Sequence, residues 1–222
     1  MRDEIRSSIG FKVNQEFVRL GKNAIIEEAV MLGYLPSREV ESILTIGPGA
    51  HVRSGSVIYG GSRIGSNLET GHNVVIREEN NIGDNFRIWN NSVVDYGCSI
   101  GSNVKIHNKV YVAQFTVIED DVFIGPGVTL ANDIHPGCPD ALKCMRGPCI
   151  NKGAQIGINC CILPRVVIGE FSVIGAGSVV TRDIPAGVIA YGNPAQVICD
   201  IGDINCSTGL REKPYDHLIE RI

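Results

Sequence analysis

The sequence predicts an all-β fold, a three-sided parallel β-helix of hexapeptide repeats, and three observations support this prediction. In steps of six from Ile46 to Leu130, fourteen of the fifteen residues are aliphatic. The same six-residue period resumes at Ile150 and continues to Val180. The composition agrees, because 26 glycines and 6% aromatic residues suit many tight turns better than a bulky aromatic core.

The six-residue period fits neither an α-helix nor one long strand. Side chains on one face recur roughly every 3.6 residues in a helix and every second residue in a strand. Short strands joined by turns keep every sixth side chain inside when three hexapeptides form a triangular coil of about eighteen residues. Glycine or asparagine at the corners, as in Ile64-Gly65, then supplies the positive φ angles that the turns require.

The repeat also predicts how the chain is organised. We expect an extension or cap over residues 1–17, a β-helix over 18–198, and a polar tail over 199–222 with a small helix near its end. Two loops, 34–44 and 131–149, each shift the register by two residues. Stacked coils need covered ends, so the two terminal segments are expected to serve as caps.

Charge and terminal sequence exclude several classes of protein. The net charge is −4 and no long basic run is present, which argues against nucleic-acid or anionic-membrane partners. No apolar stretch suits a signal peptide or a membrane span, so we expect a cytoplasmic protein with reduced cysteines. A metal site of Cys138, Cys144 and Cys149 near His135 is the less favoured alternative to buried apolar or loop thiols.

The larger loop contains the first functional motif, because residues 128–136 read V-T-L-A-N-D-I-H-P. This stretch resembles the active-site segment of the hexapeptide-repeat acyltransferases, with features of galactoside and maltose O-acetyltransferases and of nucleotide-linked amino-sugar N-acetyltransferases. The resemblance covers about residues 18–198 and implies a left-handed coil.

The resemblance also assigns roles within the loop. It implies that His135 is the general base and that Asn132 contacts an acceptor amine, while Asp133 orients the imidazole or faces solvent. A neutral imidazole can accept a proton from an attacking hydroxyl or ammonium group. The alternative is a loop histidine that only makes a local backbone hydrogen bond.

A second motif follows the last repeats. Residues 174–185 read I-G-A-G-S-V-V-T-R-D-I-P and are followed by G-N-P-A at 192–195, which resembles the coenzyme A segment of the same families. The resemblance implies that small residues admit the pantetheine arm, that backbone amides bind its carbonyls, that Arg182 lies near the phosphates and that Pro194 lies near the adenine. The implied cofactor-binding residues are Ile158, Gly175, Ala176, Thr181, Arg182 and Pro194. The alternative for the glycine and serine positions is that they are repeat corners.

Other candidates have weaker support. His107 and Asn108 match the region where amino-sugar transferases contact the acceptor. The polar run Arg77-Glu78-Glu79 is expected to form a solvated face rather than a nucleotide diphosphate site. The 34–44 loop suggests no chemistry.

Together these features predict an acetyl-CoA-dependent acetyltransferase that acts on the amino group of a nucleotide-linked sugar. The family resemblance implies a homotrimer with the cofactor between two prisms, and no metal is expected. The alternatives are O-acetylation of a sugar or other small hydroxyl acceptor, and a non-catalytic β-helix assembly module. A γ-type carbonic anhydrase would need two histidines five residues apart, a spacing absent from the sequence.

Overall fold

The computed structural model describes residues 12–13 and 16–219, and its main body is a parallel β-helix of three sheets. Partner strands in the uninterrupted coils lie eighteen residues apart, as in Val75 with Val93 and Val93 with Tyr111. This spacing confirms the predicted coil of three hexapeptides.

Each coil contributes one short strand to each sheet. The first sheet contains Lys12–Val13, Met31–Tyr34, Val57–Tyr59, Val75–Ile76, Val93–Val94, Tyr111–Val112, Thr129–Leu130, Cys161–Ile162 and Val179–Val180. The second sheet contains Val18–Leu20, Leu44–Ile46, Arg63–Ile64, Asn81–Ile82, Ser99–Ile100, Val117–Ile118, Cys149–Ile150 and Val167–Ile168. The third sheet contains Ile25–Ile26, His51–Val52, Glu69–Thr70, Arg87–Ile88, Lys105–Ile106, Phe123–Ile124, Gln155–Ile156, Val173–Ile174, Val188–Gly192 and Ala195–Asp200.

The helical elements described are short and lie outside the coils. They are the α-helices Ala141–Cys144 and Asp216–Ile219 and the 3-10 helix Ile201–Asp203. The second α-helix lies where the sequence predicts a small helix.

The core is a set of stacked aliphatic side chains inside the prism. From His51–Val52 to Val179–Val180, the second residue of each two-residue strand is buried in the prism, as in Val75–Ile76 and Arg87–Ile88. Burying one such side chain contributes roughly 1.5–3 kcal/mol to the free energy of folding, so the repeated column of aliphatic residues is the main source of stability. Thr70 is the polar member of this column, and its Oγ1 accepts a hydrogen bond of 2.9 Å from the backbone N–H of Arg53.

Positive φ angles occur on the third residue after the aliphatic one, for example at Gly49, Asn67 and Asn85. The glycines that directly follow the aliphatic residue have a different cause. A Cβ on Gly65 would lie 2.8 Å from the backbone carbon of Gly83 in the next coil, so the close stacking of coils excludes a side chain there.

The two loops leave the prism along the same edge. This loop edge comprises the turns from the first sheet to the second, at residues 60–62, 77–80, 95–98, 113–116, 163–166 and 181–183, together with both loops. The amide edge comprises the turns from the third sheet to the first, at 27–30, 53–56, 71–74, 89–92, 107–110, 125–128, 157–160 and 175–178. The first sheet lies between these two edges.

The ends of the β-helix differ. Lys12–Val13 pairs with Met31 and Leu32, so the first sheet begins ahead of residue 18, while residues 1–11 of the predicted extension lie outside the described residues. At the other end a small cluster of Phe171, Ile189, Ile201 and Leu218 holds part of the tail against the last coils.

Candidate functional site

The larger loop is tied down at both of its ends. The backbone N–H of Arg146 donates to the carbonyl of Asn132 at 2.8 Å, which closes the loop at its base. The Arg165 side chain donates to the carbonyl of Cys144 at 2.8 Å and holds the short helix against the next coil. The tip, residues 134–137, is exposed. A fixed base with an exposed tip can present a side chain to a bound molecule.

His135 lies at this tip. Its backbone N–H donates to Asp133 Oδ1 at 2.9 Å, and its carbonyl accepts a hydrogen bond of 3.0 Å from the N–H of Cys138. Asp133 therefore contacts the main chain of His135 and shapes the turn. Within the described residues, the imidazole has no hydrogen-bond partner and is accessible to solvent.

Asn132 is held in one orientation at the base of the loop. Its Nδ2 donates to Gln114 Oε1 at 2.6 Å, and Gln114 Nε2 in turn donates to Asp95 Oδ2 at 2.7 Å. Asp95 also accepts a hydrogen bond of 2.9 Å from the hydroxyl of Tyr111. Asp95 and Gln114 were not among the residues predicted from the sequence, although a spacing of about one coil brings them beside Asn132.

Glu78 corrects the expectation of a solvated face at Arg77-Glu78-Glu79, because its side chain is fully buried. Arg77 donates to both of its carboxylate oxygens at 3.0 and 2.9 Å. Arg38, from the 34–44 loop, reaches Glu78 at 3.4 Å and lies over the ring of Tyr96 at 4.0 Å. Burial alone would raise the pKa of Glu78, but the hydrogen bonds and charges of Arg77 and Arg38 hold that pKa below its usual value.

The amide edge displays a row of backbone N–H groups. In three of the earlier coils a side-chain oxygen of a neighbouring coil accepts from this N–H: Glu27 from Ser54 at 3.0 Å, Asn90 from His72 at 2.7 Å and Asn108 from Asn90 at 3.0 Å. For the corresponding amides of Ile158 and Ala176, the described part of the chain supplies no such acceptor. These two outward amides lie one coil apart and can donate to carbonyl oxygens of a ligand.

His107 lies on the amide edge next to Asn108. Its ring packs against Phe123 with centroids 5.2 Å apart. Burial, joined by the positive charge of Lys105, lowers the pKa of His107 and favours its neutral form at neutral pH. The oxygen of the Asn108 side chain is engaged by Asn90, which leaves its amide nitrogen for other contacts.

The remaining cofactor candidates lie near the C-terminal end of the prism. A Cβ on Gly175 would approach Tyr191 Cβ to 2.7 Å, so packing already explains this glycine. Pro194 follows a cis peptide bond in the turn between Val188–Gly192 and Ala195–Asp200, two strands that pair antiparallel, and it is exposed. Thr181 and Arg182 are exposed on the loop edge, where Asp183 accepts a hydrogen bond of 2.8 Å from the N–H of Val167.

Apart from Pro194, the candidate residues of one chain form two groups. The loop edge holds Asn132, Asp133, His135, Thr181 and Arg182. The amide edge holds His107, Asn108, Ile158, Gly175 and Ala176. Because the first sheet separates these edges, a single chain does not bring the two groups into one site.

The described residues form neither a metal-binding cluster nor a membrane-spanning helix. In residues 12–13 and 16–219 no group of three or more His, Cys, Asp or Glu side chains could hold a metal ion. No helix in that range is long and apolar enough to cross a membrane. Cys98 is buried, and burial raises the pKa of its thiol to about 12.

Comparison with known proteins agrees with the repeat architecture. Residues 81–114 and 150–182 match the family model described as bacterial transferase hexapeptide (six repeats). A UDP-N-acetylglucosamine acyltransferase from Bacteroides fragilis aligns with a TM-score of 0.70 at 22% identity, over 86% of this chain and 73% of that chain. The chain therefore has the left-handed parallel β-helix fold, and its two matched segments are similar to the hexapeptide repeats of that family model.

Two similar curated proteins narrow the comparison. A galactoside O-acetyltransferase of Lactococcus lactis is 41% identical over 115 residues, which are 46% of this chain and 52% of the relative. A dTDP-3-amino-3,6-dideoxy-alpha-D-galactopyranose 3-N-acetyltransferase of Aneurinibacillus thermoaerophilus is 39% identical over 84 residues, 33% of this chain and 44% of the relative. The chain spans about half the length of the curated relatives that it matches.

Proposed function

We propose that the protein transfers an acetyl group from acetyl-CoA to the amino group of a nucleotide-linked sugar, with His135 as the general base. The observation that carries the proposal is the exposed imidazole of His135 at the tip of a tied loop whose base holds Asn132 in a fixed orientation. The names of the two relatives, one an O-acetyltransferase and one a sugar N-acetyltransferase, support acetyl transfer to a sugar.

Each group of side chains has a defined part in this reaction. His135 removes one proton from the attacking nitrogen, a step that typically contributes 10²- to 10⁴-fold to the rate. Asn132 holds that nitrogen by a hydrogen bond. The outward amides of Ile158 and Ala176 fit the carbonyl oxygens of a pantetheine arm, because they lie one coil apart without a side-chain acceptor from the described residues. Arg182 is exposed and can pair with the cofactor phosphates.

The division between two edges supports a homotrimer. The outward side chains of the first sheet are mainly apolar: Val57, Val75, Val93, Tyr111, Thr129, Cys161 and Val179. If this sheet faces a threefold axis, the loop edge of one copy lies beside the amide edge of the next. His135 of one copy would then complete a site with Ile158 and Ala176 of its neighbour.

The test is a thiol-release assay with acetyl-CoA and a panel of UDP- and dTDP-linked amino sugars. We expect release with at least one acceptor, and a loss of about 100-fold or more in kcat for His135→Ala. His51→Ala is the control. His51 lies on the third sheet in an early coil, away from the loop, and its ring forms a hydrogen bond with Glu27. Full activity of His135→Ala on the best acceptor would overturn the assignment of the base.

O-acetylation is the second candidate, and the similarity to the Lactococcus lactis galactoside O-acetyltransferase favours it. The same assay distinguishes the two when each amino sugar is paired with the corresponding hydroxyl sugar. Faster release with the hydroxyl member would replace the amine assignment. A protein that releases no thiol with any acceptor, and whose melting temperature does not rise with millimolar coenzyme A, would be a non-catalytic module instead.

A further inference from the structure

A chain of hydrogen bonds runs along the loop edge and ends at Asn132. It passes from Asp95 to Gln114 at 2.7 Å and from Gln114 to Asn132 at 2.6 Å. The three residues belong to consecutive coils, so the chain runs parallel to the axis of the prism. Asp95 and Gln114 have no part in the mechanism described so far.

The direction of this chain is fixed at Asp95. Its Oδ1 accepts from the backbone N–H of Tyr96 at 2.8 Å and pairs with Arg77 at 3.3 Å. Its Oδ2 accepts from the Tyr111 hydroxyl and from Gln114. A carboxylate beside an arginine has no proton to donate, so Gln114 must turn its NH₂ group toward Asp95 and its oxygen toward Asn132.

The same logic fixes Asn132. Since the oxygen of Gln114 faces it, Asn132 must present its NH₂ group to Gln114, and its own oxygen, Oδ1, is left for a ligand. Among the contacts of the described residues, none donates a hydrogen bond to this oxygen. The side chain of Asn132 is only partly buried, so a bound molecule can reach it.

An amide oxygen accepts hydrogen bonds but does not remove protons at neutral pH. An attacking hydroxyl has a single proton, which the base must take, whereas an attacking amine has two. The amine nitrogen forms its bond to the acetyl carbonyl carbon as the carbon–sulfur bond breaks. One proton goes to His135, and the departing thiolate acquires a proton to become the thiol. The other proton stays on nitrogen in the amide product, so its hydrogen bond to Asn132 persists through the reaction. An ester product has no such proton.

We propose that Asp95 and Gln114 are positioning residues that fix Asn132 with Oδ1 toward the acceptor, and that this orientation selects amine over hydroxyl nucleophiles. The inference rests on the proposed function and adds the residues that determine its acceptor class. The carboxylate of Asp95 sets the orientation, Gln114 transmits it, and Asn132 contacts the acceptor.

The test compares Asp95→Asn with Asp121→Asn. Asp121 Oδ1 accepts from Asn103 at 3.0 Å at the end of a similar amide ladder, on the edge between the second and third sheets. Asp95→Asn can offer an NH₂ group to Gln114 and so lets the chain of amides reverse, while Asp121→Asn makes the same chemical change away from the loop. The readouts are kcat and KM for the best amino sugar of the panel and for its hydroxyl counterpart.

We expect Asp95→Asn to lower kcat for the amine about tenfold or more. The ratio of kcat/KM for the amine to kcat/KM for the hydroxyl should fall, while the KM for acetyl-CoA should stay within about twofold of the wild-type value. Asp121→Asn should keep the wild-type ratio. Gln114→Met breaks the chain of hydrogen bonds without changing the other partners of Asp95. We expect it to give the same loss of kcat for the amine, and it serves as the test variant if Asp95→Asn lowers the melting temperature.

Two results would overturn this inference while leaving the proposed function intact. One is wild-type activity with an unchanged amine-to-hydroxyl ratio of kcat/KM in both Asp95→Asn and Gln114→Met. The other is a change of that ratio in Asp121→Asn as large as in Asp95→Asn. Absence of acetyl transfer by the wild-type protein would overturn the proposed function, and the inference with it.

Discussion

Glu78 and Glu79 provide a direct test of what the buried arginine cluster contributes to stability. Glu78 is fully buried and bonded to Arg77 and Arg38, whereas Glu79 is 42% exposed and pairs with Arg38 at 2.8 Å. Glu78→Gln keeps the shape of the side chain, but it turns an NH₂ group toward Arg77 and removes the negative charge.

The expected cost follows from this geometry. Removing one partner of a buried ion pair costs roughly 3–5 kcal/mol, and the partial exposure of Arg77 places Glu78→Gln at about 3 kcal/mol. Glu79→Gln loses an exposed pair, which contributes about 0–1 kcal/mol. With a urea slope of about 3 kcal/mol per M, the midpoint of Glu78→Gln should fall by about 1 M and that of Glu79→Gln by about 0.3 M or less.

The pH dependence gives a second readout. The pKa of Glu78 lies below its usual value, so its contribution is present above that usual value and is lost as the pH falls through the lowered pKa of the folded state. The difference in urea midpoint between wild type and Glu78→Gln should therefore be largest near pH 7 and shrink toward low pH. Equal, small effects of both substitutions, or a difference that does not change with pH, would refute the buried-pair reasoning.

Two further predictions concern the amide edge and the tail. Ala176→Pro removes the outward N–H at a turn position where Pro48 and Pro126 occupy the same place between two glycines, so the fold should persist. Isothermal titration with coenzyme A should show binding about five- to tenfold weaker, while Ala176→Ser, which keeps the N–H, should bind like wild type. In the tail, the hydrogen bond with Thr208 and nearby backbone amides lower the pKa of Cys206 to about 7. Iodoacetamide should therefore label Cys206 first in the native protein, at a rate that falls about fivefold from pH 7 to pH 6. Buried Cys98 should react only after unfolding. Mass spectrometry of the labelled protein checks the order, and labelling of Cys98 first would contradict the prediction.

The sequence period was enough to predict the three-sided coil and the side chains that point into it. Because every sixth side chain must enter the prism, the positions of Ile46 and Ile64 determine which neighbours pair, and the structure pairs Ile46 with Ile64 in the second sheet. The period did not reveal which corner residue has a positive φ. That depends on the path of the turn, where Asn67 rather than Gly65 has the left-handed conformation.

The candidate site was predicted less completely, for a physical reason. Contacts between neighbouring coils join residues about eighteen apart, so Asp95, Gln114 and Asn132 look unrelated along the sequence. Once the coil length is known, the same count places them on one edge. Burial of Glu78 could not be predicted this way, since it depends on Arg38 from a loop that lies outside the repeat.

Because the two loops share one edge, the number of coils between them sets the distance between them in fixed steps. Five coils separate the strand Met31–Tyr34 from Thr129–Leu130, which corresponds to about 24 Å at roughly 4.8 Å per coil. Inserting a whole coil would move the loops apart by the rise of one coil and leave both on the same edge. Inserting a single hexapeptide would instead turn the second loop to a different edge. A change in the distance between the two loops that keeps both on one edge therefore requires the insertion or deletion of whole coils.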